Sequence, residues 1–244
     1  MKNYLRPDWP VPGHVHAFTT IRIGGLSHTP FSSFNLADHV GDSPDCVIKN
    51  RQLLDKQLQL PSQPRWLQQV HGTAVVEADT SVTPVSADAS FTGKSGVVCA
   101  VLTADCLPVL FCDQAGSCVA AAHAGWRGLA SGVLEATITA MPVVPAKLSA
   151  WMGPAIGPNM FEVGDEVRQE FVAHDKQAQS CFTATVKGKW LADIYALARL
   201  RLMAAGVTEI YGGGFCTFED VQRFYSYRRD GMTGRMASLI WLSD

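Results

Sequence analysis

Residues 96–128 read GVVCAVLT-ADC-LPVLFC-DQAG-SCVAAAH-AGWRG, and this run decides the fold class. It holds three apolar stretches, 96–103, 107–112 and 117–123, with almost no charge in them. Each has the length of a strand and lacks polar alternation, the pattern of a strand covered on both faces. Gln114-Ala115-Gly116 supplies a turn between the second and the third. Beyond His123 a glycine-containing loop leads into a helix over 128–140, which Pro142 stops.

Reading outward, 14–20 (HVHAFTT) is expected to be a strand. Ser43-Pro44 is an N-cap followed by a good first helical residue, and Val47, Leu54 and Leu58 then share one helical face with Leu53 beside it. Towards the C-terminus, 147–152 reads as a strand, and Val163, Val167 and Phe171 form a helical stripe at i, i+4, i+8. A helix over 191–205 places Ile194, Leu197, Ala198 and Leu202 on one face, with Gly206 as its C-cap. Segments 224–227 and 237–242 read as closing strands. Strands outnumber helices and several neighbours are hairpin-connected. The expected class is therefore α+β with mixed sheets, not a pure βαβ chain. No repeat, charge block or linker marks a boundary, so 1–244 is expected to be one domain.

The composition narrows the function classes. The chain is 47% apolar and 17% charged, a globular balance. Lys and Arg number 20 against 22 Asp and Glu, so the basic footprint of a nucleic-acid binder is missing. No run of 18 apolar residues spans a membrane. Residues 1–15 contain charges and three prolines and lack the apolar core of a secretory signal. The seven cysteines are odd in number and form no C-x-x-C pair, which favours a reducing, cytoplasmic setting over a disulfide framework.

Three segments carry residues suited to chemistry: Gln68-Gln-Val-His71-Gly72, Thr103-Ala-Asp105-Cys106 and His123-Ala-Gly125-Trp-Arg127-Gly128. Cys106 follows one expected strand and His123 ends another, so pairing of those strands would bring them to one sheet edge. His71 sits in a glycine-containing turn able to approach them. Two imidazoles and a thiolate make a three-ligand zinc site with an open fourth position. The same residues also suit a cysteine nucleophile, with His123 as base and Asp105 or Asp88 orienting the imidazole. They equally describe a copper site, for which Met152 is the nearby axial candidate. A multicopper enzyme uses many histidines in His-x-His pairs; this chain has seven, and His14-Val-His16 is its one such pair. A packing role for Cys106 with two satisfied histidines stays open beside these readings.

The loop after His123 has an anion-binding character. Backbone N–H groups at the helix start near Gly125 and Gly128 favour a negative ligand, and Arg127 adds a fork of donors. Arg228 and Arg229 are the alternative holders of phosphate.

Taken together, the segments resemble the YfiH-like laccase-domain family, also described as polyphenol oxidases, peptidoglycan editing factors and purine nucleoside phosphorylases. The resemblance rests on residues 20–25 (TIRIGG), 34–36 (FNL), 50–51 (NR), 68–72 (QQVHG), 87–89 (ADA), 103–108 (TADCLP), 123–128 (HAGWRG), 153–158 (GPAIGP), 161–163 (FEV) and 226–230 (SYRRD), which follow the family's order. It implies an αββα-type domain of two packed sheets flanked by helices, and zinc on His71, Cys106 and His123. It implies phosphorolysis of adenosine, inosine and methylthioadenosine with adenosine deamination, and as alternatives copper-dependent phenol oxidation or peptidoglycan precursor editing. The histidine count speaks against a multicopper oxidase, and the zinc site with the Arg127 loop suits the nucleoside reading, with small-molecule substrates and no nucleic-acid or membrane partner. The H-x-E and P-C-x-x-C signature of zinc deaminases is absent, so Asp105 or Asp88 would serve as proton shuttles. One departure is Ala198, where many relatives carry Asn before the residue matching Arg199.

Overall fold

The structure, a computed structural model, describes residues 3–79 and 85–244. Two large sheets lie face to face. The first has four strands in the order β1 (Tyr4–Leu5), β2 (Val15–Thr20), β13 (Met236–Leu242) and β5 (Cys99–Thr103), all antiparallel. The second has six, in the order β12 (Glu209–Gly212), β8 (Leu148–Met152), β6 (Leu107–Asp113), β7 (Val119–Ala124), β4 (Ala89–Thr92) and β3 (Val75–Glu77). Its two edge pairs are parallel and its centre antiparallel. A third, smaller sheet of β10 (Phe182–Ala184), β11 (Lys189–Ala192) and β9 (Glu162–Gly164) stands beside them. The fold is the expected α+β sandwich of mixed sheets.

Strand alternation builds three cores. Leu110, Cys112, Val119 and Ala121 point from the six-stranded sheet towards Val15, Ala17, Val101 and Ile240 of the four-stranded one. The opposite faces of β6 and β7 send Val109, Phe111, Ala120 and Ala122 against α2 (Trp126–Ser131), α3 (Val133–Ala140) and α5 (Ile194–Ala204). The outer face of the four-stranded sheet packs Ala100, Leu102, Leu239 and Trp241 on Phe34, Leu36 and Leu54, the last from α1 (Pro44–Leu58). Both faces of β5, β6 and β7 are thus buried, which is why their sequences are continuously apolar.

Several local readings are corrected. The helix expected over 128–140 is two helices, because Gly132 takes φ 101° and ends α2 while starting α3. Val163 belongs to β9 opposite Trp190, so α4 (Asp165–His174) begins only after the stripe's first residue. Leu191 and Ala192 lie in β11, and α5 starts where the Asp193 carboxylate accepts the Ala196 N–H at 2.9 Å. Residues 224–226 are not a strand; Phe224 and Tyr225 are buried, and Ser226 caps the short α6 (Tyr227–Asp230). The β6–β7 turn falls in the expected place, but Asp113 organises it, its carboxylate accepting the N–H groups of Ser117 and Cys118 at 2.6 and 2.8 Å. Ala198 is buried in the α5 core.

One correction positions the site. β5 and β7, the strands whose pairing is expected to bring Cys106 and His123 to one sheet edge, lie in different sheets; β5 pairs with β13, and residues 104–106 carry the chain across from one sheet to the other. Cys106 therefore stands where the two sheets meet.

Candidate metal centre and its cavities

Sheet register brings the centre together. His123, near the end of β7, is opposite Pro108 of β6 on one side and donates its backbone N–H to the Asp88 carbonyl at 2.7 Å on the other. Leu107 pairs with Ala124, so Cys106 falls beside Gly125. A Cβ at Gly125 would lie 2.7 Å from His71 Cδ2 and 3.0 Å from Cys106 Sγ. A Cβ at Gly128 would lie 2.9 Å from the Gly72 carbonyl oxygen. The two glycines are buried and let the His71 loop close onto β7. Neither lines the cavities, which corrects their expected role as anion-binding backbone.

The ligand atoms of His71, Cys106 and His123 all lie within 4.8 Å of one another. Cys106 Sγ is 3.7 Å from His71 Nε2, close to the ~3.6 Å edge that tetrahedral Zn–S and Zn–N bonds would span. The donor set fits a metal ion. Among the described residues no other group of three His, Cys, Asp or Glu is so placed.

Asp88 holds this arrangement from behind. Its side chain is fully buried. One oxygen accepts the His123 Nδ1–H at 2.8 Å and the His71 backbone N–H at 2.9 Å. The other accepts the N–H groups of Val70 and Gly72 at 3.2 and 2.7 Å. This fixes the His123 tautomer with Nε2 free, the usual orientation of a metal-binding imidazole. It also holds His71 at φ 59°. Of the three non-glycine residues with positive φ among those described, His71 and Asp105 both belong to the site, where such backbone is tolerated because the surroundings enforce it.

The charges are coupled. Burial pushes the Cys106 thiol up, but the charge and hydrogen bonding of His123, then of His71, bring it down to about 6. Burial likewise pulls His123 down, while Cys106 and Asp88 lift it to about 9. Without metal the pair is thus a thiolate facing an imidazolium near neutral pH.

Asp105 is a positioned residue. Its carboxylate accepts the Thr217 hydroxyl at 2.6 Å and the Arg228 N–H at 2.7 Å. It ties α6 to the Cys106 loop and lines a cavity of about 250 Å³. Trp126, Ile156, Phe161 and Ile194 give that cavity its apolar lining, and His71, Cys106 and the exposed Arg127 and Arg228 line it as well. Arg127 is exposed and stacks 4.5 Å over Trp126. Arg228 donates to the Glu162 carbonyl at 2.8 Å. Arg229 is corrected as a phosphate holder, because the carbonyls of Thr217, Phe218 and Phe224 and both Asp230 oxygens take its five donors. A second cavity of about 400 Å³ shares His71, Ala104, Cys106 and Tyr227 with the first and adds His39, Gln69, Leu102, Thr103, His123 and Arg235. The sequence carried no motif to single out Arg235.

The copper readings lose their supporting residues. Met152 is fully buried in the core of β8 and lines neither cavity. His14 bonds the Gly116 carbonyl, and His16 bonds Ser243 and stacks on Trp241, so the His-x-His pair serves the sheet.

Fold and site define an α+β sandwich with a His–Cys–His cluster able to hold a metal ion beside two adjoining cavities. The chain belongs to the multi-copper polyphenol oxidoreductase laccase family, whose model matches residues 15–243. It is 56% identical over 245 residues, all of both chains, to a purine nucleoside phosphorylase of Pseudomonas aeruginosa. It is 52% identical to the purine nucleoside phosphorylase YfiH of Escherichia coli, over 99% of this chain and 100% of that protein. A crystal structure of a Neisseria meningitidis protein superposes with TM-score 0.97 at 51% identity, covering all of both chains. Among the described residues no helix is long and apolar enough to cross a membrane.

Proposed function

We propose that the chain is a zinc-dependent purine nucleoside phosphorylase. It takes adenosine, inosine or methylthioadenosine with phosphate to the free base and the sugar 1-phosphate, and it also deaminates adenosine. The observation that carries this reading is that two of the three ligands, His71 and Cys106, line a cavity shared with Trp126, Phe161 and two arginines, while the third, His123, lines the adjoining one. Similarity to proteins of that name supports it.

His71, Cys106 and His123 would hold the ion. Two imidazoles and one thiolate favour zinc in its open, three-ligand form. When bound, such an ion supplies a Lewis acid and a water of lowered pKa. The residues of the chain do the rest. Trp126 and Phe161 offer aromatic surface on which a purine stacks. Arg127 and Arg228, in the same lining, contact the ligand. Asp88 fixes both histidines, and Asp105 fixes the loop that carries Cys106. In phosphorolysis a phosphate oxygen forms a bond to the anomeric carbon and the glycosidic C–N bond breaks, its electron pair leaving with the base. The proton that phosphate gives up equals the one the base gains.

Product analysis tests the reading. With adenosine and phosphate, adenine and ribose 1-phosphate are expected, with inosine as the deamination product. Base release that needs no phosphate, or inosine as sole product, would remove phosphorolysis.

A second reading has an observation of its own. Cys106, His123 and Asp88 stand in the order of a thiolate–imidazolium–carboxylate hydrolase, which would suit editing of peptidoglycan precursors. Alkylation separates the two. A zinc-bound Cys106 should resist iodoacetamide until a chelator is added, whereas rapid stoichiometric labelling of the zinc-loaded protein would favour the nucleophile.

A further inference from the structure

We propose that the second cavity is the oxyanion subsite for inorganic phosphate, with the Arg235 guanidinium and the Thr103 hydroxyl as its donors. This rests on the phosphorylase reading for its role and on the geometry of the cavity for its place.

The Thr103 hydroxyl has no partner. The residue is 2% exposed, and its oxygen is buried with no hydrogen bond in the structure. The oxygen has almost no accessible surface as placed, so it would meet a ligand in the adjoining cavity by rotation about χ1; a buried hydroxyl without a partner costs free energy that such a contact would recover. Thr103 is the last residue of β5 and lines the second cavity.

Arg235 lines the same wall with half of its guanidinium engaged. Nη1 donates to the carbonyls of Thr233 and Gly234 at 2.8 and 3.0 Å, which fixes the plane of the group. Nε and Nη2 have no protein acceptor among the described residues, and together they form one bidentate edge. The group sits 5.8 Å from the Tyr227 ring, whose residue belongs to both cavities.

The competing groups are otherwise occupied. Both ends of the Gln69 amide are bonded to the backbone of Leu102, at 2.8 and 2.7 Å. His39 is exposed and pairs with Asp38 at 3.4 Å. Arg127 and Arg228 line the other cavity, and Arg229 has no free donor. Among the described residues Arg235 is the one guanidinium or ammonium lining the second cavity.

The arrangement gives the reaction two sides. The two cavities meet at His71, Ala104, Cys106 and Tyr227. A purine in the apolar cavity and a phosphate on Arg235 would bracket the sugar at that junction. The phosphate oxygen then reaches the anomeric carbon from the side opposite the departing base, as a displacement requires.

Calorimetric titration of inorganic phosphate into the zinc-loaded protein tests the subsite without turnover. Arg235→Lys keeps the charge on the same carbonyls and loses the fork. Thr103→Val keeps the shape and loses the hydroxyl. Each should weaken phosphate binding about tenfold or more, the value of one hydrogen bond to a charged group. Zinc content should stay unchanged, and the melting temperature of Thr103→Val should hold or rise, since an unpaired hydroxyl is removed. Arg127→Lys should leave phosphate affinity as it is. Absence of phosphate binding, or weakening by Arg127→Lys and not by the other two, would overturn the assignment. If phosphate binds as described and no phosphate-dependent base release occurs, the subsite stands and the phosphorylase reading falls.

Discussion

Cys106→Ala or His123→Ala is expected to empty the metal centre. Purified wild-type protein should carry about one zinc per chain, as a single three-ligand site requires. Either variant leaves two ligands, and zinc should fall to a small fraction of that. Turnover should fall by more than about 100-fold, since loss of a supporting partner alone reaches that figure at metal sites. The fold should survive, because Cys106 is outside the three sheet cores and their extent needs no metal staple. Acid should act in the same direction as the substitutions. In the metal-free protein the Cys106–His123 pair holds one proton between about 6 and 9. Zinc must expel that proton, so affinity should drop about tenfold for each unit of pH lost across this window. Below it the thiol protonates as well and the fall steepens. Zinc titrations with a competing chelator from pH 6 to 9 measure the slope. Full zinc occupancy in both variants, or an affinity flat with pH, would show that these residues are not the ligands.

The parts of this molecule that a sequence exposes are those set by local pattern. The β6–β7 hairpin is legible because residues 107–123 are apolar on both faces and broken by one turn. The start of α1 is legible because Pro44 can occupy the first turn and little else in a helix. The partner of β5 is not legible, since three residues between two apolar runs suit a hairpin as well as a crossing between sheets. The break at Gly132 is hidden for a similar reason. A glycine within a helical pattern is tolerated, and only the packing of α2 and α3 on β7 demands the left-handed turn. At the site, expected strand ends picked out Cys106 and His123 and a glycine-containing turn picked out His71, and the family resemblance then implied the three as metal ligands. Arg235 escaped because it sits in a loop with no motif, and its significance comes from an unbonded Thr103 hydroxyl 132 positions earlier in the chain. Asp88 was legible as a carboxylate that could orient the His123 imidazole, and its contact with Nδ1 has that form; the rest of its task was hidden. Its neighbours in sequence say that a carboxylate is near His123, but not that four N–H groups surround it.

That task gives the second large effect. Asp88→Asn keeps the size of the side chain and replaces one acceptor oxygen by a donor. Whichever way the amide turns, two of the four donors from Val70, His71, Gly72 and His123 then face an NH₂ group. Breaking a buried charged arrangement of this kind costs about 3–5 kcal/mol, or roughly a 10 °C drop in Tm for a chain of this length. The His71 loop and the His123 ring lose their common anchor, so zinc affinity should fall about 10–100-fold. The pH dependence has a definite sign. Burial pushes the Asp88 carboxyl up, but the His123 hydrogen bond and the Gly72 N–H outweigh it and hold the group below the ordinary carboxylate range. The stability it contributes is therefore complete above its unfolded value of about 3.9 and lost as pH falls through the lower folded value. The Tm gap between wild type and variant, measured without metal, should accordingly close in acid, and because Asp88 also helps lift His123 to about 9 it should narrow again as pH rises towards that value. A proton shuttle would behave otherwise. A residue that only moved protons would, on becoming Asn, lose kcat while keeping zinc and Tm, and that outcome would return Asp88 to the reaction itself. The buried position of the carboxylate argues for the first result, because it has no path to a substrate in either cavity and every one of its close partners is a group that places a metal ligand.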